Sequence, residues 1–177
     1  MKLNARIVAT ALWLTFSTDA AVAAPSIDVG FSPEGSAQKL VLRTLDDARV
    51  SIRLMGYSFT SPEVVKALVA AKRRGVDVKV VVDDKGNLSK ASQAAMSVVV
   101  NAGIPLRTNG QFKIMHDKII ITDGQNVELG SYNYTRSAAA SNSENALVVR
   151  DVPSLAQTYQ AHWQSRWDGG KDWQSPY

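Results

Sequence analysis

The sequence predicts an α/β domain built on a mixed, largely parallel central β-sheet flanked by helices on both faces. Three observations carry that expectation. Segments with strand-like and helix-like periodicity alternate from Ser26 to Asn101, the pattern of parallel strands joined by crossover helices. Two β-branched or apolar runs, KIIIT and NVELG, flank the turn-forming residues Asp123, Gly124, Gln125 and Asn126, which adds an antiparallel hairpin. The chain of 177 residues is 45% hydrophobic and 20% charged, which suits a single domain with its own core and does not indicate disorder.

Residues 1–23 read as a secretory leader. Lys2 and Arg6 precede an apolar run from Ile7 to Phe16, and Ala21-Val22-Ala23 offers small residues for cleavage after Ala23. The apolar run is short for a membrane span and no stop-transfer segment follows, which disfavours an uncleaved anchor. The expected product is a single domain of residues 24–177, exported across the inner membrane to the periplasm, with no stable membrane association. Losing Lys2, Arg6 and Asp19 takes the formal charge from +4 to +3, compatible with a polyanionic partner but too small to identify one. With no cysteine, the chain has neither disulfides nor thiolate metal sites, and a domain of this size can fold without them.

SIDVGFS reads as the first strand. Leu40, Val41 and Leu45 give Gly35–Ala48 an amphipathic helical face. VSIRLMGYSF is the next strand, and Ser61-Pro62-Glu63 opens a helix that ends at Gly75, with a capping hydroxyl and a proline in the first turn. VDVKVVVD is a third strand, Ser89–Asn101 a further helix, and LRT a short strand after Gly103-Ile104-Pro105. Beyond the hairpin, Thr135–Ala140 suits a short helix and ENALVVR a last strand beginning at Glu144. In the final helix, about Val152 to Trp167, Leu155, Tyr159, Trp163 and Trp167 recur every four residues, a stripe that reads as core packing with base stacking as the alternative. No repeat, linker or low-complexity segment divides the chain.

The chemistry concentrates between Met115 and Asn133. His116, Lys118, Asp123, Ser131 and Asn133 fall in this stretch, and His116 is one of two histidines in the chain. With Gly124 and Gln125 as a two-residue loop, Asp123 pairs with Asn126, Lys118 lies opposite Ser131, and His116 lies opposite Asn133. Residues two apart on a strand share a face, so His116 and Lys118 point together while Asp117 points away. An imidazole can attack or exchange a proton near neutral pH. An ammonium with hydroxyl and amide donors beside it would hold an anion as charge develops. The natural electrophile is a phosphodiester.

His116, Lys118, Asp123, Gly130, Ser131 and Asn133 match the HKD signature of the phospholipase D superfamily, and the chain most resembles its small, single-motif bacterial endonuclease branch. The resemblance implies the phospholipase D/nuclease fold and a phosphohistidine mechanism without metal or cofactor. By position, His116 resembles the nucleophile, Lys118 and Asn133 the phosphate ligands, and Ser131 a further polar contact with substrate. Glu144 resembles the carboxylate that orients the histidine's other ring nitrogen, and Asp123 a structural member of the motif. Asp83-Asp84 could attract a hard cation, but before Lys85-Gly86-Asn87 they read as a turn.

Cleavage through a covalent intermediate needs a nucleophile on one side of phosphorus and a general acid on the other, and one imidazole cannot be both at once. His162 lacks the HxK context, so the second imidazole is expected from His116 of another copy, across a homodimer with a shared site. The expected substrate is nucleic acid, DNA or also RNA, cut without sequence preference. Lys85, Lys90, Arg107, Lys113 and Arg136 could border the site and contact phosphates. Phospholipid headgroup hydrolysis or transfer is the alternative, and a non-catalytic nucleic-acid-binding module a third reading.

Overall fold

The computed structural model describes residues 24–176; the expected leader, residues 1–23, lies outside them. The elements in chain order are β1 (Ser26–Ser32), α1 (Ser36–Asp47), β2 (Ser51–Gly56), α2 (Pro62–Arg73), β3 (Asp77–Asp83), a 3-10 turn at Lys85–Asn87, α3 (Lys90–Asn101) and β4 (Leu106–Asn109). Then come β5 (Lys118–Thr122), β6 (Asn126–Gly130), α4 (Arg136–Ala140), β7 (Glu144–Arg150), α5 (Pro153–Asp168) and β8 (Lys171–Asp172). The strands form one eight-stranded sheet in the order β1-β7-β6-β5-β2-β3-β4-β8.

Three of the helices begin on a hydroxyl cap, Ser61 as expected and Ser89 and Thr135 at the expected helix starts. Ser61 Oγ accepts from Val64 N at 3.3 Å, Ser89 Oγ from Ser92 N at 3.1 Å, and Thr135 Oγ1 from Ala138 N at 3.1 Å, each satisfying a donor that the first helical turn leaves free. The sheet is mixed and helices cover both faces, as expected, but its parallel share is smaller than the strand–helix alternation implied. Among the described strands only β2–β3 and β3–β4 pair in parallel. β1, although followed by a helix, crosses to the far edge and pairs antiparallel with β7, and β5 pairs antiparallel with β2. Strand–helix alternation gives consecutive strands the same direction, which β1 and β2 share, but it does not make them neighbours, and β7, β6 and β5 lie between them.

One face of the sheet packs against α1, α2 and α3 through Leu40, Leu45, Val64, Leu68, Met96 and Val99. The other packs against α5 through Met55, Val81, Ile119, Ile121 and Val127. Because β5 lies in the middle with helices on both sides, all five residues of KIIIT are buried. The aromatic stripe of α5 is core, as expected: Trp163 is buried, its indole Nε1 donates to Leu54 O at 2.9 Å, and Trp167 stacks on it.

Parallel β2 and β3 end at the edge of the sheet where antiparallel β5 begins, since Gly56 is level with Lys118. β6 ends and β7 begins beside them, with Gly130 level with Ala146. Five strand ends therefore meet at one edge, and the histidine motif lies there.

Candidate active site

The hairpin differs from the expected register by one residue. Thr122 pairs with Asn126 and Ile119 with Leu129, so the loop is three residues, Asp123-Gly124-Gln125, and Lys118 comes level with Gly130 rather than Ser131. Asp123 causes the shift. It adopts a left-handed conformation at φ 56°, and its carboxylate accepts from the backbone N–H groups of Arg49, Val50 and Ser51, at 2.7 Å from Val50 N. Five residue steps along the strand, roughly 17 Å, separate it from Lys118, so it pins β5 to the α1–β2 corner far from the motif's other side chains.

The polar cluster survives the shift because β6 stops at Gly130. Ser131 N and Tyr132 N both turn to Asn145 O, at 3.1 and 3.2 Å, which carries the chain out of the ladder. A side chain at position 130 would collide with that same carbonyl, so only glycine permits the approach. His116, Lys118, Gly130, Ser131, Asn133 and Glu144 consequently line one pocket of about 440 Å³.

His116 is exposed, its ring against Tyr57 with centroids 4.8 Å apart. Lys118 is buried. Its Nζ donates to His116 O at 2.8 Å and lies 5.3 Å from the centre of the Tyr57 ring. Burial lowers the Lys118 pKa, while Glu144 and Asp117 pull it back up. Ser131 Oγ donates to Glu144 Oε2 at 2.6 Å, and Asn142 Nδ2 donates to Glu144 Oε1 at 2.9 Å. Glu144 thus sits in the pocket as expected, but its hydrogen bonds go to Ser131 and Asn142 instead of the His116 ring. The Asn133 amide is partly buried, and its Oδ1 has no partner among the described residues.

Asp117 points away from the pocket, as the strand period requires, and reaches α5, where its Oδ1 lies 3.1 Å from His162 Nε2. The second histidine is thereby held on the α5 side of the sheet and does not line the pocket. Asp83 forms a turn: its Oδ2 accepts from Gly86 N and its Oδ1 from Met115 N, both at 2.6 Å. Arg107 was expected near substrate; it is instead tied to Asp172 at 2.7 Å and stacked on Trp167. Lys85, Lys90, Lys113 and Arg136 are exposed.

Two participants escape sequence reasoning. Tyr57, which packs on His116 and Lys118, follows β2, and only the β2–β5 pairing brings it there. Glu128 looks like a solvent-facing residue of an alternating strand, yet it is fully buried and accepts from Tyr134 Oη at 3.0 Å. Burial pushes its carboxyl up to about 8. Tyr134 also accepts from Thr60 N and Ser61 N through its carbonyl, tying the segment that bears Ser131 and Asn133 to the one that bears Tyr57.

Residues 41–167 match the family described as cardiolipin synthase, PLD-like domain. The chain is 34% identical over 136 residues to a phospholipase D of Rickettsia bellii, covering 77% of this chain and 66% of that protein. It is 34% identical over 143 residues to the human mitochondrial cardiolipin hydrolase, covering 76% of this chain and 56% of that one. Nuc from Salmonella typhimurium, a phospholipase D family member of solved structure, superposes with a TM-score of 0.85 at 56% identity, over 86% of this chain and 100% of that chain. A histidine motif assembled in one pocket, on a fold shared with Nuc, agrees with the family match across most of the chain: the protein belongs to the phospholipase D superfamily, as a small Nuc-like phosphodiesterase.

Proposed function

We propose that this protein is an exported endonuclease that hydrolyses phosphodiester bonds of DNA, and of RNA as a further substrate, with little sequence preference, through a phosphohistidine and without metal. The observation that carries the reading is the exposed His116 imidazole at a pocket whose other polar groups, Lys118, Ser131 and Asn133, suit an anion's oxygens. The motif's resemblance to the small endonuclease branch and the 56% identity to Nuc support the nucleic-acid substrate. Export rests on the leader-like residues 1–23.

In this mechanism a His116 ring nitrogen attacks phosphorus, the bond to the leaving oxygen breaks, and that oxygen takes a proton from a second imidazole. Water then attacks the phosphohistidine, giving its proton to the second imidazole, and the P–N bond breaks to release the phosphate and free His116. Lys118 and Asn133 hold the non-bridging oxygens. Ser131, whose hydroxyl donates to Glu144 in the unliganded pocket, reaches the same phosphate by rotating that O–H from Glu144 to a phosphate oxygen.

The second imidazole is His116 of the partner subunit in a two-fold homodimer. His162 does not serve, because it is engaged with Asp117 behind the strand. The apolar side chains of edge strand β1, Ile27, Val29 and Phe31, are 66%, 53% and 54% exposed, a surface suited to self-association. This stripe runs toward the pocket, since Phe31 is level with Asn145 and Ser32 with Glu144. Subunit exchange between the parent protein and an equal amount of His116→Ala tests the shared site. Independent sites would keep all the parent's activity, whereas a shared site loses about half as mixed dimers form.

A phospholipid substrate is the second reading, favoured by the names of the Rickettsia and human relatives. Release of headgroup from phosphatidylcholine or cardiolipin vesicles, with DNA left intact, would select it.

A further inference from the structure

Residues Gly110–Ile114, immediately before Met115 and His116, are all exposed, yet the loop is anchored at both ends. At one end the buried Asn109 side chain donates to Arg166 O at 2.7 Å and accepts from Gln111 N at 2.9 Å. At the other, Met115 is buried and its N–H is held by Asp83. The Gln111 side-chain amide rests over Gly169. The tip presents Phe112 and Ile114, 39% and 49% exposed, on either side of Lys113. The Arg166 guanidinium lies 4.7 Å from the centre of the Phe112 ring, and Arg166 pairs with no carboxylate among the described residues. Four residues span at most about 14 Å, so Phe112 lies within a few nucleotides of His116.

An aromatic ring held in place by a cation, with a second cation beside it, close to a phosphodiester-cleaving histidine, has the makings of a stacking platform. We propose that Phe112, backed by Arg166 and flanked by Lys113, is a base-stacking subsite that holds one nucleotide of a single-stranded stretch beside the scissile phosphate. The inference rests on the nuclease reading above and adds to it a place where a base is gripped. Because every base has a π face, such a subsite confers affinity without sequence preference. A lipid-docking loop is the rival occupant. The cation stacked on the ring and the lysine between the two apolar residues favour a polyanion with flat, stackable groups.

The test compares kcat/KM for a single-stranded oligonucleotide with that for bis(p-nitrophenyl) phosphate, a diester too small to extend beyond the pocket, in the full-length protein. Phe112→Leu, which keeps apolar bulk but loses the π face, should lower the ratio about tenfold through KM, and Phe112→Trp should hold it. A ratio unmoved by Phe112→Leu overturns the subsite while leaving the nuclease reading intact. So does a Phe112→Leu variant that loses binding to phosphatidylglycerol vesicles and cuts the oligonucleotide as before, which would make the loop a lipid anchor. A parent protein that hydrolyses the small diester but no oligonucleotide overturns the nuclease reading, and the subsite with it.

Discussion

Glu128→Gln should make the protein more stable at neutral and alkaline pH. The wild-type carboxyl is fully buried, its partner is the Tyr134 hydroxyl, and it titrates near 8 instead of 4.5. Below pH 4.5 the group is protonated whether the chain is folded or not, and it adds no pH dependence. Between 4.5 and 8 the unfolded chain releases the proton while the folded one retains it, so stability falls as pH rises; above 8 the loss is complete. A displacement from 4.5 to about 8 corresponds to a loss of about 5 kcal/mol, most of which accrues between pH 5 and pH 8. Glutamine keeps the shape and an acceptor for Tyr134 but cannot ionise. Its Nε2 takes the place of Oε1, which has no partner among the described residues, so the polar atom left unpaired is exchanged for another. Urea unfolding of parent and variant at pH 5 and pH 8, at fixed protomer concentration, measures the difference. The stability advantage of the variant should grow by about 3 to 4 kcal/mol across that interval. Parallel pH profiles would refute the buried, neutral carboxyl.

Three further substitutions separate structure from chemistry. Gly130→Ala sets a methyl against the Asn145 carbonyl and should cost about 1–3 kcal/mol and much of the activity, since Ser131 moves with it; thermal unfolding and kcat together check this. Trp163→Ala empties the centre of the α5 interface and should cost about 3–5 kcal/mol in urea unfolding. Asp123→Ala strips three backbone N–H groups of their acceptor and should cost about 2–4 kcal/mol. Assayed well below its melting temperature, this variant should keep a kcat close to that of the parent, because Asp123 lies at the far end of β5 from the pocket.

Much of this molecule is legible in its sequence because the signals are local. Ser61, Ser89 and Thr135 cap the helices they precede, and the period of two on β5 correctly sends Asp117 away from Lys118. The spacing from His116 to Asn133 placed His116, Lys118, Ser131 and Asn133 together, and they line one pocket even though the turn was misjudged by one residue. That error came from Asp123, whose left-handed backbone and grip on the α1–β2 corner are tertiary contacts. The remaining misses are likewise long-range. The alternation implied that β1 pairs beside β2, and Arg107 was expected at phosphate although Asp172 and Trp167 claim it, while no local signal marks Glu128 as the carboxylate that helices on both faces of the sheet bury. Tyr57 carries no motif of its own, and its place beside His116 follows from sheet order alone.

The central claim is that His116 cuts nucleic acid without a metal ion. Cleavage of plasmid and single-stranded DNA by the protein in excess EDTA, with His116→Ala alongside, tests it most directly. The account predicts that cutting persists under chelation and vanishes in the variant. Cutting abolished by EDTA, or retained by His116→Ala, would contradict it.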